Sequence, residues 1–273
     1  MLPLLLVVFN GVDLPLSQVA YLPGGVTTPN HCLEEAFEVL NPAVEDTRVV
    51  LTCEHASNRL PQQWAWPTED QWITKTHWAF DIGAAPIVRG LAQSLGVGGI
   101  LARFSRLLVD TNRAEGQAGM YRTSAEGRPV MLNANLESDD RCARLDGYYH
   151  PYHRRLDYEI ARAPEAMVLA IHSFTPLYEG KKRWMDIGLL FYKDTDLAEA
   201  VAEQFRSAGL KVGLNEPYSG ANGEMYSAYR HGMQHGRHAL ELEFCQALSG
   251  DEAEREKLIE VTASALRAVG VVP

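Results

Sequence analysis

The sequence predicts an α/β fold: a single three-layer α/β/α domain built on a mixed, mainly parallel sheet. Three observations predict it. After residue 45, short apolar β-branched runs alternate with amphipathic helical stretches, with no break in composition. Several of those runs, such as Val49–Cys53 and Ala166–Ile171, are continuously apolar, as strands buried on both faces are. The chain of 273 residues is long enough for one large core. Residues 1–35 lack this pattern. Their Pro, Gly and Asn turns (Pro23-Gly24-Gly25, Pro29-Asn30) read as an extension packed on a domain that spans 36–273.

Taken in order, Val49–Cys53 is a strand that empties into Glu54, His55, Ser57 and Asn58. Residues 59–75, rich in Pro, Trp and Gln, read as a long loop or short-helix insert. Ile87, Leu91 and Leu95 then recur at helical spacing. Pro86 fits only near a helix start and Gly96 is a good stop, so that helix begins at about Ala84. Asp81 falls just before it, as a helix cap or as a carboxylate held beside the strand end.

Residues 99–103 and 107–110 are strand candidates, and 114–146 reads as an irregular loop. Tyr148–Ala163 is an amphipathic helix. Ala166–Ile171 is a strand ending in His172. A strand over Asp186–Tyr192, a helix over Thr195–Ala208 and a strand over Leu210–Leu214 follow. Then come a turn through Asn215 and Tyr218 and a short helix within Gly223–Gly236. His238–Phe244 is a strand whose alternation puts Glu241 and Glu243 on one face. Asp251–Val269 closes the chain as a long helix.

A formal net charge of −10 argues against nucleic acid or an anionic membrane as partner, while a local arginine cluster still suits a small anionic substrate. The four cysteines show no CxxC spacing, which points to reduced thiols in the cytoplasm rather than a zinc knuckle or disulfide framework. Leu2–Phe9 is apolar but too short to span a membrane, and it has no basic flank or cleavage site.

Parallel strands bring their carboxyl ends to one edge, so His55, His172, Glu243 and the helix-start Asp81 can converge. Two neutral imidazoles, a carboxylate and an open position make a catalytic zinc site. A further carboxylate beside the activated water serves as general base, a role that suits Glu243. Spacing alone leaves a rival H-x-x-H pair, His150 and His153, on the helix.

VVLTCEHASNRLP, THWAFDIGA, ARFSRLLVDTNR, AIHSF, NEPYSG and LEFCQAL, in this order from about Phe37 to Leu248, resemble the N-formylglutamate amidohydrolase family. The resemblance implies a fold related to zinc carboxypeptidases. It also implies hydrolysis of N-formyl-L-glutamate to formate and L-glutamate, a late step of histidine breakdown. A more distant likeness to zinc-dependent cell-wall amidases places the metal ligands at His55, Asp81 and His172, with the general base at Glu243. Zinc carboxypeptidases use H-x-x-E, which would fall on Asn58, not an anionic ligand. The resemblances therefore favour Asp81 as the third ligand for Zn²⁺ or another divalent metal, with Glu54 as the fallback.

Arg106 and Arg113 are candidates for gripping the substrate carboxylates, Asn112-Arg113 resembling the carboxypeptidase Asn-Arg pair, with Arg183 a third. Asn58, His77, Asn215 and Tyr218 are candidate hydrogen-bonding partners for substrate or ligands. Cys245 and Ala247 stand where the family pattern has Arg and Asp. That departure keeps a non-catalytic binding or sensor protein open, beside the same chemistry on another N-acyl amino acid or a small peptide.

Overall fold

In the computed structural model, residues 8–9, 12–13 and 35–273 are described. The expected extension over 1–35 lies almost wholly outside the described residues; Val8–Phe9 pairs antiparallel with Val12–Asp13.

The central sheet has seven strands. They are β1 (Phe37–Leu40), β2 (Val49–Cys53), β3 (Gly98–Ala102), β4 (Met167–Phe174), β5 (Ile187–Phe191), β6 (Val212–Leu214) and β7 (Ala239–Cys245). Their order is β6-β5-β7-β4-β2-β3-β1. The run β7-β4-β2-β3 is parallel throughout. The turns of direction are β1 against β3 and β5 against β7. β2, β4 and β7 are buried along their whole lengths; β2 and β4 are accordingly mainly apolar, while β7 carries Glu241 and Glu243 on one face.

The longer helices are α1 (Ala84–Leu95), α2 (Ser138–Arg144), α3 (His150–Arg162), α4 (Thr195–Ser207), α5 (Tyr226–His235) and α6 (Glu252–Ala268). One face of the sheet packs Leu51, Leu169, Ile171 and Leu242 against α1, α4 and α6. The other packs Val50, Val168 and Ala170 against α3 and α5. The result is the expected mixed, mainly parallel α/β sheet with helices on both faces.

α1 starts at Ala84 and stops at Gly96, whose φ of 65° is the left-handed conformation glycine adopts without penalty. Two local expectations fail. Residues 107–110 form a buried turn, not a strand. Leu107, Leu108 and Val109 enter the cores, while Leu108 N–H donates to Ser105 and Asp110 N–H to Met120. Residues 114–146 are not one irregular loop: they hold a short hairpin (Ser124–Ala125 with Arg128–Pro129), a 3₁₀ turn and α2. α2 runs into α3 through a π-helical turn over Leu145–Tyr149.

Candidate metal centre and substrate cavity

The three parallel strands β2, β4 and β7 are neighbours in the sheet, and their carboxyl ends carry the polar groups the sequence points to. His172 sits within β4, registered beside Glu243 of β7, so both side chains leave the same face of the sheet. β2 ends at Cys53, and His55 follows in the turn beyond it. Asp81 is tied to that turn by its own N–H, which donates to the His55 carbonyl at 2.9 Å. It does not cap α1: no side-chain cap bond is made there, and Gly83 takes the cap position at φ 84°. The Asp81 carboxylate is thereby left to the site.

His55 Nδ1, His172 Nδ1 and Asp81 Oδ2 form a triangle with edges of 3.1, 2.8 and 3.4 Å. A tetrahedral zinc with bonds of ~2.0–2.1 Å spaces its ligand atoms about 3.3 Å apart. The outward nitrogens decide how the rings are held. His55 Nε2 lies 2.7 Å from Asp110 Oδ1, and His172 Nε2 lies 2.9 Å from Glu54 Oε2. Carboxylates only accept, so both Nε2 atoms carry hydrogen and, in the neutral rings, both Nδ1 lone pairs face one point. The donor set therefore fits a divalent ion.

The electrostatics agree. Burial disfavours the imidazolium of His172, yet Glu241, Asp81 and Glu54 outweigh that and hold its pKa well above the usual value. The pocket of carboxylates attracts positive charge. Burial would raise Asp81, but the charge of His55 and the hydrogen bond to His172 pull it far down. Asp110 is likewise held well below the carboxylate range: against burial stand Arg106 and His55.

Glu54, the fallback ligand, does not face the triangle. It continues β2 beside His172 and touches the ring at Nε2, away from the triangle. Its other oxygen accepts from Tyr152 Oη at 2.9 Å. Burial would raise this carboxyl, but His172 and Tyr152 outweigh it and lower the pKa to about 2. Both Glu54 oxygens are thus turned to His172 Nε2 and Tyr152 Oη rather than to the triangle.

Glu243 is buried and lines the cavity, and its Oε2 has no hydrogen-bond partner. Burial, then the charges of Asp81 and Glu241, raise its pKa well above the usual value against the pull of His172 and Arg106. A carboxylate so placed has the basicity to take a proton. Glu241, on the same face, accepts from Asn112 Nδ2 at 3.3 Å, and burial followed by Glu54 pushes its pKa to about 7.

The site opens into a cavity of about 230 Å³. Arg106, Arg113 and Arg122 line it, with His77, Trp78 and Tyr218. Arg106 is largely engaged: Nη2 and Nε donate to Asp110 Oδ2 at 2.7 and 3.2 Å, and Nη1 lies 3.6 Å from Asp81. Arg113 makes no salt bridge among the described residues. Arg122 rests on the Trp78 ring at 4.8 Å. Arg183 lies outside the lining and stacks on Phe174, Tyr178 and Tyr218. The His77 ring packs on Trp78 at 4.7 Å, its Nε2 has no partner, and burial lowers its pKa.

Asn58 and Asn215 are not brought to the cavity. Asn58 pins its loop, donating to the Thr74 carbonyl at 2.8 Å. Asn215, at φ 50°, accepts from the N–H groups of Phe191 and Gly220 and shapes the turn after β6. Asn112 lines the cavity but also braces it, since its Oδ1 accepts from Ser227 N–H at 2.9 Å. The rival pair fails as well. His153 is buried against His231, and His150 points to Glu115 and Asp146.

Sequence reasoning assigned no role to Asp110 or Arg122. Arg106 and Asp110 stand four apart, but that spacing marks an ion pair only on a helix, and this stretch forms a turn. Nothing local marks Arg122, which the chain returns to the cavity after the buried turn.

The chain is similar to known proteins over most of its length. The family model for N-formylglutamate amidohydrolase matches residues 47–249. The chain is 28% identical over 220 residues to an N-formylglutamate deformylase of Pseudomonas aeruginosa, covering 71% of this chain and 80% of that protein. Among solved structures, a gene product of Agrobacterium tumefaciens superposes with a TM-score of 0.79 at 30% identity, covering 86% of this chain and 96% of that one. An N-formylglutamate amidohydrolase from Ralstonia eutropha shares the fold, with a TM-score of 0.67 at 18% identity over 87% of this chain and 98% of that one. With three quarters of its length spanned by one family pattern and every strand of the histidine–carboxylate site inside that span, this chain belongs to the N-formylglutamate amidohydrolase family.

Proposed function

We propose that this protein hydrolyses the amide of an N-acyl acidic amino acid, N-formyl-L-glutamate in the first place, releasing formate and L-glutamate. The observation that carries the reading is the triangle of His55, His172 and Asp81 donor atoms with the unpartnered Glu243 beside it. His55, His172 and Asp81 would hold Zn²⁺ or another divalent ion. Such an ion supplies Lewis acidity, polarising a carbonyl and acidifying water so that attack is feasible near neutral pH.

The chain's own groups do the rest. Asp110 and Glu54 keep both ligand rings in the tautomer that presents Nδ1. Glu243 accepts the proton of the attacking water and returns it to the leaving amine. Arg113 and Arg122, with Tyr218, take the two carboxylates of the acidic amino acid at the cavity wall. Arg106 holds Asp110 as an anion and lies 3.6 Å from Asp81. Arg113 and Arg122 offer a small dianion cations at the cavity wall that the net charge of −10 does not predict. We place the reaction in histidine breakdown in the cytoplasm. Cys53, Cys142 and Cys245 are free thiols, and no helix among the described residues is long and apolar enough to cross a membrane.

The test is glutamate release by purified protein from formyl-, acetyl- and longer N-acyl-glutamates and from formyl derivatives of neutral amino acids, with and without added zinc. Metal-dependent release favouring the formyl acidic compounds is expected. Protein that binds no metal and leaves formylglutamate intact after zinc addition overturns the reading. Preference for another acyl group would keep the chemistry and change the substrate.

A further inference from the structure

A second group of donor atoms meets where α3 and α5 face each other. His231 and His235 stand four residues apart on α5, so both rings project from one face of that helix. Asp157 of α3 lies opposite. Its Oδ1 is 2.8 Å from His231 Nδ1 and 3.0 Å from His235 Nε2. All three donor atoms lie within 4.8 Å of one another. Two of these separations are close to the about 3.3 Å expected between ligands of a tetrahedral zinc.

The surroundings hold this arrangement. His231 is fully buried, and its outer nitrogen, Nε2, lies 2.9 Å from His153 Nδ1. The two rings stack with centroids 5.2 Å apart. A ligand imidazole is usually steadied in this way through its second nitrogen. The side chains of His235 and Asp157 keep 17% and 23% of their exposure, so solvent reaches both. Arg230 Nη2 lies 3.6 Å from Asp157 Oδ2, the oxygen the histidines do not use. It restrains the carboxylate while its charge opposes an incoming cation.

We propose that Asp157, His231 and His235 form a second metal site, separate from the first, for a first-row divalent ion of the Zn²⁺ or Ni²⁺ type. Imidazole with one carboxylate suits such ions better than Mg²⁺ or Ca²⁺. The ion would staple α3 to α5. Those helices support the outer partners of the first site: Tyr152 of α3 donates to Glu54, and Ser227 of α5 donates to Asn112. The same distances also suit two N–H groups sharing one carboxylate oxygen without an ion, and metal counting separates the two.

The experiment titrates metal-free full-length protein with Zn²⁺ alone, and then with Ni²⁺ alone, by equilibrium dialysis. Wild type, His235→Ala, Asp157→Asn, His55→Ala and the His55→Ala/His235→Ala double variant are compared, with circular dichroism as a check on folding. Partly exposed His235 is chosen because, unlike His231, it is not buried in the core. The site predicts one equivalent fewer in His235→Ala and Asp157→Asn than in wild type, with unchanged turnover in His235→Ala. It also predicts one equivalent retained in His55→Ala and lost in the double variant. Zn²⁺ should raise the Tm of His55→Ala and leave that of the double variant unmoved. Equal stoichiometry in wild type and His235→Ala, or no binding by folded His55→Ala, overturns the proposal. Failure to hydrolyse formylglutamate leaves this count untouched.

Discussion

Glu243 and Asp110 carry the same functional group and meet opposite fates. Glu243 is buried with one oxygen unpartnered, so its pKa rises; Asp110 is buried among three donors, so its pKa falls. The first is thereby the more basic and suited to take a proton, and the second is suited to steady a histidine as an anion. Glu243→Gln should lower kcat by about 10²–10⁴. KM and metal content should stay near wild type, as steady-state kinetics with metal analysis would read. Asp110→Asn should instead weaken metal binding by about 10–100-fold, because His55 loses the acceptor that orients it; a chelator competition titration measures this. Arg113→Ala should raise KM for an N-acyl glutamate far more than for a neutral analogue. The expected loss is about 1.5–3 kcal/mol, the worth of a hydrogen bond to a charged group. Equal loss on both substrates would show that Arg113 does not read a carboxylate.

Elements decide which residues meet. β2 and β4 deliver histidines to one edge because they are adjacent parallel strands, and β7 adds Glu243 in register with His172. Asp81 arrives differently, through a turn held by backbone and side-chain bonds rather than by a ladder. Ser173 Oγ and Ser249 Oγ both donate to the Ile82 carbonyl, at 2.9 and 2.7 Å. Gly83 closes that turn at φ 84°, and a Cβ there would run into the Ser249 carbonyl. Gly83→Ala should therefore destabilise the protein by at least about 2 kcal/mol and loosen metal binding with it. Urea unfolding and the same chelator titration check both effects. The buried turn carrying Asp110 is fixed from outside by Arg144, whose Nη1 donates to the Leu108 carbonyl at 2.9 Å and to Asn133 Oδ1 at 2.6 Å. Apolar runs read as strands by composition, and Leu107–Val109 shows the limit of that reading: a buried turn has the same composition without a neighbouring strand to pair with.

At the scale of the whole molecule, stability should depend on pH through the histidines between α3 and α5. Burial, followed by the charges of His231 and Arg230, lowers the pKa of His153 well below 6.5, and burial lowers His231 despite Asp157. Below pH 6.5 the unfolded chain therefore binds protons that the folded one refuses. This contribution is complete above about pH 6.5 and is lost as pH falls, by about 1.4 kcal/mol per pH unit for each such group. His172, whose pKa is raised, slopes the other way, so the informative quantity is a difference. Between pH 6.5 and 5, metal-free wild type should lose more stability than His153→Gln, measured by denaturant unfolding at each pH. Parallel curves would remove His153 from the account.

The sequence by itself determined the α/β class, the strands that carry His55, His172 and Glu243, and the start and stop of α1. These follow from short-range patterns: apolar runs, helical spacing, Pro and Gly at helix ends. Motif order was enough to point to the family. Only the tertiary structure decided the rest. It showed that Glu54 lies behind His172 while Asp81 completes the triangle, that Asn58 and Asn215 are spent on turns, that Arg106 is engaged with Asp110, and that Arg122 lines the cavity. The physical reason is that a side chain's role depends on which partners reach its polar atoms. Many of those partners are distant in sequence, as with Thr74, 16 residues from Asn58, and Glu241, 129 residues from Asn112. No local pattern records separations of that length. Only the packed sheet and its connecting turns bring such groups within hydrogen-bond range.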